Sequence, residues 1–149
     1  HCVKGNFKDM KIVLDTANGA AYRAAKDVFL DLRAELVVIN DAPNGRNINV
    51  KCGSTHPEIL AKVVVGYEAD LGLAYDGDAD RLIAVDKFGN IIDGDKIIGI
   101  LALGMKNAGT LRPFAPALTS SLKLSNFQTI NTYSINAIAP SGIMIFPDR

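Results

Sequence analysis

Cysteine is scarce in this 149-residue chain, and the two present build no framework. Cys2 and Cys52 form no CxxC pair and leave no four-ligand zinc set. One disulfide is open to them, but a reduced pair is the natural reading and suits a cytoplasmic protein. Long apolar runs are absent as well. None reaches the roughly 18 residues of a transmembrane helix, so no membrane partner is expected. The opening His1-Cys2-Val3-Lys4 has no apolar signal region and no initiator Met, so the chain reads as a piece of something longer. Net charge is also absent, with 16 basic against 16 acidic residues. That balance argues against nucleic acid held by bulk charge. No G-x-G-x-x-G follows the first expected strand, and no P-loop G-x-x-x-x-G-K occurs. Dinucleotide and P-loop nucleotide functions therefore lose their usual support.

What is present is unevenly spread. Hydrophobic residues at 48% and charged residues at 21% are ordinary for a folded domain. Yet Glu35, Glu58 and Glu68 all come early, and Ser54 is the only serine before residue 111. From there on, only Arg112, Lys123, Asp148 and Arg149 carry charge. The composition predicts a domain over 1–110 and a tail over 111–149. That tail reads as loop, disorder or a segment not native to the domain.

Within 1–110 the pattern alternates. Lys11 to Thr16 reads as a buried strand, and Asn18-Gly19 breaks it. Ala20 to Arg33 carries a helical apolar stripe, and Leu36 to Ile39 reads as a second strand. Asn40 to Thr55 is a polar loop. Thr55 and Glu58 are spaced as a capping box, with Pro57 in the first turn of a helix to about Glu68. Asp70 to Tyr75 and Arg81 to Val85 read as strands, followed by a hairpin turn at 86–90 with Ile91-Ile92 returning. Lys96 to Lys106 reads as an apolar-rich helix capped by Asp93 or Asp95 and stopped by Gly109. Ile97, Ile98, Ile100, Leu101 and Leu103 give it an apolar surface for burial on the sheet or for self-association. The order β-α-β-α-β-β-α predicts an α/β fold with a mixed sheet.

The densest polar cluster is Asp76-Gly77-Asp78-Ala79-Asp80-Arg81, between two apolar strands. Three carboxylates at about 5 Å in a partly desolvated loop repel by on the order of 1–3 kcal/mol per pair. A divalent cation offsets that, and hard oxygen ligands favour Mg²⁺, Mn²⁺ or Ca²⁺. Small Gly77 and Ala79 let the three side chains converge. Arg81 adds a rigid fork suited to phosphate, so the cluster reads as a phosphoryl-group site. The bland reading is a solvated acidic turn. An EF-hand is rejected, because its Gly and Glu positions hold Arg81 and Lys87. A dehalogenase-type phosphatase fits only the bare Asp76/Asp78 spacing, and a glycosyltransferase D-x-D is a weak match. His1 and His56 lack metal-ligand spacing, and His56 reads as a loop or first-turn residue.

The loop Asp76–Arg81 resembles the metal-binding loop of the α-D-phosphohexomutases. Lys11 to Tyr22, Gly45 to Asn49 with Cys52 to Glu58, and Arg81 to Asp95 resemble the second domain of the phosphoglucosamine mutase branch. The resemblance covers about residues 7 to 110. It implies a three-layer α/β/α sandwich with a mixed, mainly parallel sheet. It further implies a cytoplasmic four-domain enzyme that interconverts glucosamine 6-phosphate and glucosamine 1-phosphate for cell-wall precursor synthesis. In that family a phosphoserine on another domain donates its phosphoryl group, and Mg²⁺ neutralises charge. By resemblance, Asp76, Asp78 and Asp80 hold Mg²⁺, and Arg81 is the catalytic residue beside the phosphate. The partners implied are a phosphosugar and the other domains of the same enzyme. No segment resembles the Ser-His-Asn-Pro phosphoserine loop or the Gly-Glu-x-Ser-Gly sugar loop. The chain alone is therefore expected to be inactive. The alternatives are a domain of a phosphoglucomutase or phosphomannomutase, or a non-catalytic metal-binding module.

Overall fold

A computed structural model describes residues 6–107. The expected tail from 111 and the stop at Gly109 lie outside the described residues. Residues 6–94 form one compact unit. It contains β1 (Lys11–Asp15), α1 (Ala21–Asp31), β2 (Glu35–Ile39), α2 (Pro57–Gly66), β3 (Leu71–Tyr75), β4 (Leu82–Asp86) and β5 (Ile91–Ile92), with a 3-10 turn at Gly53–Thr55. The last helix, α3 (Gly94–Asn107), belongs from Asp95 onward to the second unit. In α3, Ile98 and Leu101 are exposed and Ile100 is buried. No helix among the described residues is long and apolar enough to cross a membrane.

The sheet order is β2-β1-β3-β4-β5. β1 pairs parallel with β2 and β3, while β3–β4 and β4–β5 are antiparallel. Two reversals return β5 to the direction of β3, so four of the five strands run one way and only β4 opposes them. The expected mixed, mainly parallel sheet is present. β1 is an inner strand covered on both faces, which is why its apolar residues run on without alternating. Ile12, Val13 and Leu14 are all buried. Val13 faces a cluster with Leu60 and Val64 of α2, Ala74 of β3 and Val85 of β4. β1→α1→β2 and β2→α2→β3 step along the sheet in opposite directions. Right-handed crossovers then put α1 and α2 on opposite faces, giving three layers.

Helix boundaries follow local hydrogen bonding. α1 stops where Arg33 turns left-handed at φ 63 and donates its N–H to the Leu30 carbonyl. The capping box expected for α2 does not form. Thr55 Oγ1 donates back to the Cys52 carbonyl at 3.3 Å, inside the 3-10 turn. His56 takes the N-cap position without a side-chain cap, and Glu58 pairs with His56 Nδ1 at 3.1 Å. The Thr55 hydroxyl is turned back toward the Cys52 carbonyl and caps no helix amide, and the helix starts one residue later, on Pro57. It also ends sooner than expected, at Gly66, because Glu68 is left-handed at φ 52. The β4–β5 hairpin is tied by Asp86, whose carboxylate accepts the Phe88 and Asn90 N–H groups, both at 2.9 Å.

Gly72 lets α2 pack closely on the sheet. A Cβ there would lie 2.5 Å from Val64 Cγ2 and 3.0 Å from Leu60 Cγ. Both side chains are fully buried, and Val64 is stiff at χ1. Gly72→Ala is expected to destabilise the domain by about 1–3 kcal/mol through overpacking. Urea unfolding should read this as a lower midpoint.

Candidate metal centre

The acidic loop sits at the carboxyl end of β3, beside the carboxyl end of β1. The outgoing connections of these two strands lead to opposite edges of the sheet. In an open α/β sheet that divergence leaves a crevice where ligands bind. Backbone from two other segments closes the loop from behind. The Ala20 N–H, at the start of α1, donates to the Gly77 carbonyl at 2.8 Å. A Cβ on Gly19 would overlap the Gly77 backbone, so only glycine allows that approach. Gly53, at φ +71, packs its α-carbon toward the Tyr75 carbonyl, where a Cβ would lie only 2.5 Å away. Within the loop, the Ala79 N–H donates to the Asp76 carbonyl at 3.1 Å, and Ala79 is left-handed at φ 63. This tight turn explains why only small residues separate the three aspartates.

Asp76, Asp78 and Asp80 come together as the spacing predicts. Each offers a carboxylate oxygen, and these oxygens lie within 4.8 Å of one another. Asp76 is 1% exposed and forms the floor, while Asp78 and Asp80 are exposed at the rim. Octahedral Mg²⁺ with bonds of about 2.1 Å spans at most about 4.2 Å between opposite oxygens. Three ligands of one such ion include neighbours only about 3 Å apart, so the exposed Asp78 and Asp80 side chains would turn inward to meet it. The donor set, three hard carboxylate oxygens with an open side to solvent, fits Mg²⁺ or Mn²⁺.

Arg81 is tied into the same floor. Its backbone N–H donates to Asp76 Oδ1 at 3.1 Å, and its Nε donates to Oδ2 at 2.7 Å. The Nε also lies 3.6 Å from Asp80 Oδ1. Burial by itself would push the Asp76 carboxyl up. The Arg81 backbone and side-chain hydrogen bonds outweigh it and hold the carboxyl down at about 2. The Asp80 carboxyl is raised, first by its hydrogen bond to Asp76 and then by repulsion from Asp78 and Asp76. That is the expected mutual repulsion, expressed as a reluctance of the third carboxylate to ionise. The Arg81 side chain is still 66% exposed, so its guanidinium faces solvent at the rim while Nε anchors it.

His56 does not join the carboxylate cluster. Cys52 is buried and free, and burial raises its thiol. It is a packing residue rather than a reactive one. The sequence reading missed Asp15, which is fully buried at the end of β1. Its Oδ1 accepts the Ala17 N–H at 3.0 Å and its Oδ2 accepts the Gly53 N–H at 2.9 Å. The available signal was an aspartate ending a central strand, where a buried carboxylate needs backbone donors.

With this geometry in hand, similarity to known proteins becomes decisive. Residues 2–89 match the family model for phosphoglucomutase/phosphomannomutase, alpha/beta/alpha domain II. The chain belongs to that family. Among phosphoglucomutase/phosphomannomutase relatives, it is 95% identical over 111 residues to phosphoglucosamine mutase of Fusobacterium nucleatum subsp. nucleatum, covering 74% of this chain and 25% of that protein. It is 52% identical over 135 residues to phosphoglucosamine mutase of Lactococcus lactis subsp. lactis, covering 91% of this chain and 30% of that one. A crystal structure of a phosphoglucomutase/phosphomannomutase family protein from Burkholderia thailandensis matches with a TM-score of 0.50 at 31% identity. That match covers 66% of this chain and 22% of the other. The chain thus spans between a fifth and a third of the length of these relatives.

The Asp76–Arg81 contact sets an acid-dependence. A carboxyl held below its ordinary 3.8 stabilises the fold above that pH and loses the contribution as pH falls toward about 2. In Arg81→Ala the lowering bonds from the side chain go while burial stays. The Asp76 carboxyl should then titrate at higher pH, and acid unfolding should begin earlier. Carboxyl carbon NMR against pH reads the first, and circular dichroism reads the second.

Proposed function

We propose that this chain is the metal-carrying second domain of a phosphoglucosamine mutase. The observation that carries the reading is the convergence of three carboxylates and one arginine at the strand switch point of a domain from this family. Asp76, Asp78 and Asp80 would hold Mg²⁺, and residues 1–110 would make up the domain, with 111–149 apart from it. The 52% match to the Lactococcus protein runs over 135 residues, and the 95% match to the Fusobacterium protein over 111. The same match, to a phosphoglucosamine mutase by name, favours glucosamine phosphates over glucose or mannose phosphates as substrates. The reaction interconverts glucosamine 6-phosphate and glucosamine 1-phosphate in the cytoplasm, on the way to cell-wall precursors.

In this reading each residue has a distinct task. Held by Asp76, Asp78 and Asp80, Mg²⁺ would supply positive charge that stabilises a transferring phosphoryl group. Asp76, anchored by Arg81, fixes one ligand position without side-chain freedom. Asp78 and Asp80 close from the rim. Arg81, held at Nε, presents the exposed part of its guanidinium to phosphate oxygens as a preoriented donor. The phosphoserine and the sugar-recognition groups come from other domains, so this chain carries one component of the site. The acidic loop is then a charge partner for a phosphorylated surface rather than a self-sufficient catalyst.

Two measurements test the reading. Calorimetric titration with Mg²⁺ should give weak binding, which Asp78→Asn abolishes; no binding to the intact chain sinks it. The purified chain should not convert glucosamine 6-phosphate. Exchanging the matched segment of the Fusobacterium protein for this one should preserve mutase turnover, and adding Asp78→Asn should lower it by at least about 100-fold.

A further inference from the structure

We infer that Asp15, at the carboxyl end of β1, is a positioning residue for the metal loop and acts through the backbone on both sides of Asp76. This rests on the metal-site reading above. Asp15 stands outside the carboxylate cluster, yet its two oxygens are bonded to the two segments that bracket that cluster. Oδ2 accepts the Gly53 N–H at 2.9 Å. Gly53 in turn packs against the carbonyl of Tyr75, the residue before Asp76. Oδ1 accepts the Ala17 N–H at 3.0 Å. The turn that begins at Ala17 leads to Ala20, whose N–H donates at 2.8 Å to the carbonyl of Gly77, the residue after Asp76.

Both amides that Asp15 binds belong to left-handed residues, Ala17 at φ 53 and Gly53 at φ +71. For Ala17 that conformation is unfavourable without a fixed partner. A carboxylate supplies two acceptors, one for each amide. An asparagine of the same shape supplies one, and turns an NH₂ group toward an N–H. One buried side chain therefore sets the backbone before and after the buried ligand. Outer partners of this kind hold metal ligands in position, and their loss typically weakens metal affinity by about 10–100-fold. Linkage makes the effect reciprocal: a cation that favours the loop geometry must also favour the two Asp15 bonds.

The test uses the full chain with Mn²⁺ as the probe, its affinity read by electron paramagnetic resonance and its fold by urea unfolding. Asp15→Asn should weaken Mn²⁺ binding about tenfold under conditions where the variant is folded. Thr16→Val is the comparison. It removes a hydrogen bond of 2.7 Å to the Asn40 carbonyl at the same strand end and should leave affinity unchanged. Wild-type affinity in Asp15→Asn overturns the inference alone and leaves the metal reading standing. Equal losses in both variants overturn it too, because general destabilisation then accounts for the effect. An intact chain that binds no Mn²⁺ removes the metal reading and this inference with it. If Asp15→Asn does not fold, hydrogen exchange on the unmodified chain decides. Added Mg²⁺ should slow exchange at the Ala17 and Gly53 amides, and unchanged rates there despite binding overturn the inference.

Discussion

Backbone must approach backbone closely at the carboxyl edge of this sheet, and the rest of the site depends on that approach. Segments 15–20, 52–53 and 75–77 meet there, with the Ala17 methyl the one side-chain atom close to Gly53. Gly19 lies against Gly77, and Gly53 lies against the Tyr75 carbonyl. Missing β-carbons make room, but they do not by themselves hold the strands' ends together. Hydrogen bonds do that: Ala20 to Gly77, and Asp15 to Ala17 and Gly53. The acidic loop can then be short, because its two ends rest on a rigid floor.

On that floor the electrostatics divide by depth. Asp76 is buried and would be costly there as an unpaired charge. Two hydrogen bonds from one residue, Arg81, keep it ionised. Asp78 and Asp80 stay at the rim, where water screens them and where they can turn toward a cation. The zero net charge of the whole chain conceals this arrangement. A local excess of carboxylate is held in place by one arginine whose guanidinium still faces solvent.

The sequence made the strands, the alternation of helix and strand, and the acidic loop legible. Apolar runs such as Ile12-Val13-Leu14 can persist only in a strand buried on both faces, and three aspartates spaced by small residues can converge only in a tight turn. The capping box at Thr55 was misleading for a physical reason. A threonine hydroxyl that could accept from helix amides can instead turn back and donate to a nearby carbonyl, and Thr55 does so at Cys52. For Asp15 the local signal, an aspartate ending an apolar strand, does not say which amides the carboxylate binds. Its partners lie two and 38 residues away, and only the fold brings both of them beside the loop.

The sequence by itself determined the element order, the family resemblance and the clustering of the acidic-loop residues. These depend on local periodicity and on spacing within six consecutive residues. Tertiary structure alone decided which carboxylate is buried, which helix cap forms, and which distant backbone amides hold the loop. Burial and hydrogen-bond partnership depend on what the fold brings alongside each group, and separation along the chain does not encode that.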